Sequence, residues 1–136
     1  MSRIVHLSEA SSLAIHAMVI IARSDKIVNV QSIAQDTSSS KNHLAKVMQR
    51  LVKDGMVKST RGPAGGFELN KPPQDISILD VYESIEGPIQ HGGCPVDNQI
   101  CAFNKCLVGG IVDNVSMQLK EYLAEQKLSS YIGTGY

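Results

Sequence analysis

Leu13, Ala14, Ala17, Met18 and Ile21 recur at the three- and four-residue spacing that lines side chains along one face of a helix. They predict a core-facing helix over residues 11–24, with serines ahead of it as caps. Asp25 and Lys26 mark a turn, Ile27-Val28 reads as a short strand, and Val30, Ile33 and Ala34 predict a second, shorter helix over residues 30–35. Residues 36–40 (DTSSS) are a polar break rich in helix-capping side chains. Beyond it Leu44, Val47, Met48 and Leu51 predict a third helix over residues 41–54, and Gly55 stands where a helix commonly ends in a left-handed turn.

The pattern then changes period. Met56-Val57-Lys58-Ser59-Thr60 and Phe67-Glu68-Leu69 flank Arg61-Gly62-Pro63-Ala64-Gly65-Gly66, which predicts a β-hairpin with a glycine-rich tip. Pro72 and Pro73 cannot continue a strand ladder. Ser77 and Asp80 form a capping-box pair ahead of Ile78, Val81, Tyr82 and Ile85, and Gly87-Pro88 stops that helix. A last helix is expected over residues 107–130, striped by Val108, Ile111, Val112, Val115, Leu119, Tyr122 and Leu123. That stripe is longer than so small a core needs, so part of it should meet a second copy of the chain. The expected fold is mainly α with a small β-hairpin wing. A winged helix-turn-helix domain spans residues 1–88, a cysteine loop 89–106, and a long C-terminal dimerisation helix with its tail 107–136.

At 136 residues, with 43% hydrophobic and 19% charged residues, the chain is of ordinary globular composition and long enough for a real core. No apolar run approaches the ~18 residues of a membrane span, and no signal pattern opens the chain, so a cytoplasmic protein with no membrane partner is expected. Formal net charge is zero, which argues against nucleic acid until its distribution is considered. Between Thr37 and Phe67 the basic residues are Lys41, Lys46, Arg50, Lys53, Lys58 and Arg61, and the acid is Asp54 alone. A local basic surface is what phosphate binding requires.

That surface carries the first candidate chemistry. Lys41, Asn42, His43, Lys46, Gln49, Arg50 and Lys53 mix phosphate-seeking cations with amides that can read base edges. Ser38, Ser39 and Ser40 add hydroxyls at the start of the same helix. In the wing, Arg61 is followed by Gly62 and further glycines that let the backbone approach a duplex, and a wing arginine suits the negative potential of the minor groove. Taken singly, each of these residues also fits a solvated surface; the ordered set of helix, basic helix and glycine-rich hairpin points to double-stranded DNA.

The second candidate is Cys94, Cys101 and Cys106, spaced C-x6-C-x4-C with Gly92, Gly93 and Pro95 around them. An odd count fits a disulfide framework poorly. The spacing matches neither ferredoxin runs nor zinc ribbons, and by itself leaves open a metal or cluster site, a thiol redox switch, or inert cysteines. No Ser/His/Asp or Cys/His catalytic order is visible, and no enzymatic activity is expected.

Residues 42–51 (NHLAKVMQRL), then Gly55-Met56-Val57, then the RGPAGGF wing at 61–67 and three clustered cysteines before a long final helix, resemble the winged-helix family of IscR and NsrR. The match runs in order over most of the chain. The resemblance implies a homodimeric transcription regulator binding a roughly palindromic operator. It also implies an iron–sulfur cluster, 2Fe-2S or 4Fe-4S, held by Cys94, Cys101 and Cys106. Members like IscR place a histidine three residues after the last cysteine, where this chain has Gly109. Members like NsrR use an aspartate from the first helix of the partner, where this chain has Ser12, with Glu9 nearby. Candidates for the fourth ligand are therefore Ser12, Glu9, His91, or a small exogenous thiol or water. The alternatives are a winged-helix regulator with zinc or a disulfide at the cysteines, and a winged helix that docks on another protein.

Overall fold

A computed structural model describes residues 6–90, 103–105, 107 and 110–133. Helix α1 (Glu9–Ala22) runs through the centre of the core and buries Leu13, Ala14, Ala17, Met18 and Ile21. It starts two residues before the expected position because Ser8 serves as its cap, its side chain accepting the Ser11 N–H. Helix α2 (Val30–Thr37) is capped by Asn29, whose Oδ1 accepts the Ser32 N–H at 2.7 Å. Ser38 ends it in a left-handed conformation, φ 53°. Two residues later Ser40 caps α3 (Lys41–Lys53), accepting the His43 N–H at 3.1 Å. The turn between α2 and α3 is thus built entirely from residues 38–40 of the polar break.

Leu44, Val47, Met48 and Leu51 turn one face of α3 into the core against α1. Each such side chain, fully buried, contributes about 1.5–3 kcal/mol relative to exposure. Strands β1 (Val57–Thr60) and β2 (Gly66–Leu69) pair antiparallel in the register Val57↔Leu69 to Thr60↔Gly66. The short strand expected at residues 27–28 is a single bridge, Val28 pairing with Phe67 on the outer side of β2. Helix α4 (Ile78–Glu86) has the expected capping box, Ser77 and Asp80 each bonded to the other's backbone.

The last helix differs from the expected 107–130. Helix α5 spans Ile111–Glu125, and Gly110 before it is left-handed. At the other end Gln126 is extended, and residues 126–128 leave the helix to pair with the chain entering α4. Ile78 N–H donates to Gln126 O at 2.8 Å, and Leu128 N–H to Ile76 O at 2.9 Å. This bridge delivers Leu128 into the main core, where it is fully buried at the start of a 3₁₀ turn, Leu128–Tyr131. Burial of one leucine and two backbone hydrogen bonds therefore outweigh the continued helix that periodicity suggests. Leu119 and Leu123 of α5 pack on a second small cluster formed by Leu79, Tyr82 and Ile89. Among the described residues no helix is long and apolar enough to cross a membrane.

Candidate nucleic-acid interface and cysteine site

Opposite its buried face, α3 presents Lys41, Asn42, Lys46, Gln49 and Lys53, all exposed. Asn42, Lys46, Gln49 and Lys53 follow one another at three- and four-residue steps, so two amides and two cations share a single stripe. His43 is half-buried. Ser40 spends its side-chain oxygen on the helix cap, and Ser39 Oγ lies 2.8 Å from Thr37 Oγ1. Ser38 is exposed at the turn. The serine turn thus leads directly into α3 and its polar face.

Arg50 is placed differently from the rest. Its Nε donates to the Ser84 carbonyl of α4 at 2.9 Å and lies 3.9 Å from Asp54 Oδ2. One edge of its guanidinium is therefore committed to the body of the protein. Nothing local in the sequence signals this tie, because Ser84 is 34 residues away.

The wing is held by its glycines. A Cβ on Gly65 would lie 2.1 Å from Thr60 O, and one on Gly66 would lie 2.3 Å from Val28 O. Both distances are far inside contact, so only glycine lets the tip fold back on itself and against the loop before α2. Gly62, at φ 106°, turns the chain, and Gly65 N–H donates to Gly62 O at 3.0 Å. Arg61 is exposed at this tip. Lys58 is paired across the strands with Glu68 at 3.6 Å, whereas among the described residues Arg61 forms no ion pair.

Cys94, Cys101, Cys106 and His91 lie outside the described residues. Of the remaining ligand candidates, Glu9 is exposed and Ser12 half-buried, and both line a cleft of about 420 Å³ between the start of α1 and the α2–α3 turn. His16, one turn beyond Ser12, donates from Nδ1–H to Ser12 O at 2.7 Å and lines the same cleft with Asp36. Among the described residues no group of three His, Cys, Asp or Glu side chains is close enough to hold a metal.

Three helices, a tight polar turn before a basic third helix, and a glycine-tipped hairpin beside it define a winged helix-turn-helix protein. Comparison with known proteins carries this further. The family model described as "Rrf2: Iron-dependent Transcriptional regulator" matches residues 7–133, and the chain belongs to that family. It is 31% identical over 121 residues to the HTH-type transcriptional regulator NsrR of Bacillus subtilis, covering 87% of this chain and 82% of the relative. Among solved structures it is similar to IscR of T. potens, with a TM-score of 0.74 and 25% identity over 92% of this chain and 84% of that one. It shares its fold with CymR, the global cysteine regulator of B. subtilis, with a TM-score of 0.81 and 24% identity over 97% of this chain and 99% of that one. The protein is accordingly a DNA-binding transcription regulator, and its family is one of regulators rather than enzymes.

Proposed function

We propose that the protein is a homodimeric, cytoplasmic regulator whose affinity for its operator is tuned by an iron–sulfur cluster on Cys94, Cys101 and Cys106. The observation that carries this reading is the set of three cysteines between α4 and α5 in an Rrf2-family chain. Three thiolates suit iron, and oxygen donors such as Ser12 or Glu9 at the start of α1 suit a weak fourth position. His91 is the nitrogen alternative. The cluster would supply a charge and a geometry that change with redox state, nitric oxide or iron supply.

In this reading Lys41, Asn42, Lys46, Gln49 and Lys53 of each α3 enter the major groove, Ser38–Ser40 meet phosphate, and Arg61 reaches the flanking minor groove. Two copies related by a twofold axis read two half-sites. A change at the cysteines moves the reading units relative to the dimer helix, which alters how well both half-sites are met at once.

Anaerobic purification with an absorbance spectrum and iron and sulfide counts tests the cofactor. Iron and sulfide in equal amounts, lost when the three cysteines are replaced by serine, support it. A colourless protein holding zinc selects the regulator without a cluster.

A further inference from the structure

The C-terminal half of α4 touches three separate parts of the chain. Tyr82 Oη donates to His6 O at 3.0 Å and receives the His6 N–H at 3.3 Å, and Ser8 Oγ donates to Glu86 Oε1, so the segment before α1 is tied here. Glu83 Oε2 accepts the Ile89 N–H at 2.8 Å, which fixes the chain leaving α4. Ile89 is buried on Leu79 and Tyr82 and stands five residues before Cys94. Ser84 is buried; its Oγ donates to Asp54 Oδ2, and its carbonyl accepts Arg50 Nε–H at 2.9 Å. Arg50 and Asp54 are the last-turn residue and the C-cap of α3.

Adjacent residues therefore grip different partners. Glu83 holds the segment running toward the cysteines, and Ser84 holds the end of the helix that presents the DNA-reading face. We propose that Glu83 and Ser84 are positioning residues that couple the state of the cysteine loop to the orientation of α3. This rests on the reading of the cysteines as a sensor. A displacement of residues 88–90 pulls on the Glu83 carboxylate and turns the end of α4. The Ser84 hydroxyl and carbonyl pass that rotation to Asp54 and Arg50. Both contacts to α3 involve an ionised side chain, Asp54 as acceptor and Arg50 as donor, which makes them stiffer than neutral hydrogen bonds. The inner face of α3, by contrast, meets its neighbours through apolar packing that permits small sliding.

The test uses the full chain, purified anaerobically, and a duplex selected from a random pool by the wild-type protein. Affinity is measured before and after alkylation of the cysteines with iodoacetamide, and the ratio of the two values is the coupling. Ser84→Ala and Glu83→Ala should each cut that ratio by about threefold or more, while the affinity of the unalkylated protein moves by less than about twofold. Ser84→Thr, which keeps the hydroxyl, should restore the coupling. Thermal unfolding verifies that each variant folds, and Glu83→Ala serves alone if Ser84→Ala does not. Equal weakening of both states, or a ratio unchanged in the folded variants, overturns the coupling and leaves the sensor reading intact. A ratio of one in the wild-type protein removes the sensor reading itself, and the coupling with it.

Discussion

Val28 and Phe67 exchange both backbone hydrogen bonds, Val28 N–H to Phe67 O at 2.9 Å and Phe67 N–H to Val28 O at 2.8 Å. The loop before α2 thereby adds a third, one-residue strand to the wing, joined by a single rung. This joins the hairpin, a two-stranded element too small to be stable alone, to the helical body. That rung ties the wing to the loop that leads into α2.

The rung leaves no room at Gly66, where an added Cβ would meet Val28 O at 2.3 Å and Val28 C at 2.6 Å. Both are backbone atoms, so the clash is relieved only by moving the loop or the strand. Gly66→Ala should cost about 1–3 kcal/mol of stability in chemical denaturation. It should also weaken operator binding in the fraction that remains folded. A variant with wild-type stability would show that the rung is dispensable.

Arg61 and Lys58 offer a paired comparison within the wing. Lys58 is partly neutralised by Glu68 at 3.6 Å, whereas Arg61 is exposed at the tip beside glycines. Arg61→Ala should weaken DNA binding and reduce the slope of log affinity against log salt by about one. Lys58→Ala should change the slope by less. Unchanged affinity and slope in Arg61→Ala would remove the wing from the contact surface.

Helix-turn-helix, wing and the capped α4 were legible because each rests on local rules: helical spacing at residues 44–51, turn residues at 61–66, and the Ser77–Asp80 pair. What escaped were contacts between distant residues. The exit of residues 126–128 from α5 depends on pairing with Ile76 and Ile78, some fifty residues earlier, and no helical period in the last segment encodes it. The same holds for Arg50, whose sequence neighbours mark it as one more outward cation, although Ser84 takes its Nε. The rung at Val28 was visible only as two β-branched residues, Ile27 and Val28; its partner on β2 was not.

Ser40 sits where capping and the proposed DNA contact make opposite demands on charge. Its Oγ accepts the His43 N–H, and removing it in Ser40→Ala should cost about 1 kcal/mol. Aspartate caps as well as serine and suits the positive end of the helix, so Ser40→Asp should preserve thermal stability. The same carboxylate would face phosphate if the turn meets the duplex backbone. Ser40→Asp should therefore bind operator more weakly than Ser40→Ala despite being more stable. The reverse order of affinities would place this turn away from the phosphates.

Helix α5 has two faces with different duties. Val112, Ser116, Leu119 and Leu123 share the side turned toward the body, where Ser116 is buried and bonds Val112 O, and Leu119 and Leu123 pack on the cluster under α4. Ile111, Val115 and Tyr122 share the other side at four- and seven-residue steps, and are 58%, 44% and 58% exposed. An apolar stripe of this length on one chain is the surface that the proposed dimer would cover. Val115→Glu with Tyr122→Glu touches no buried side chain, so the monomer's fold should persist by circular dichroism. Sedimentation should shift from dimer to monomer, and operator affinity should fall about a hundredfold or more as the two half-sites cease to be bound by one particle. A double variant that still sediments as a dimer would mean that the copies meet through another surface.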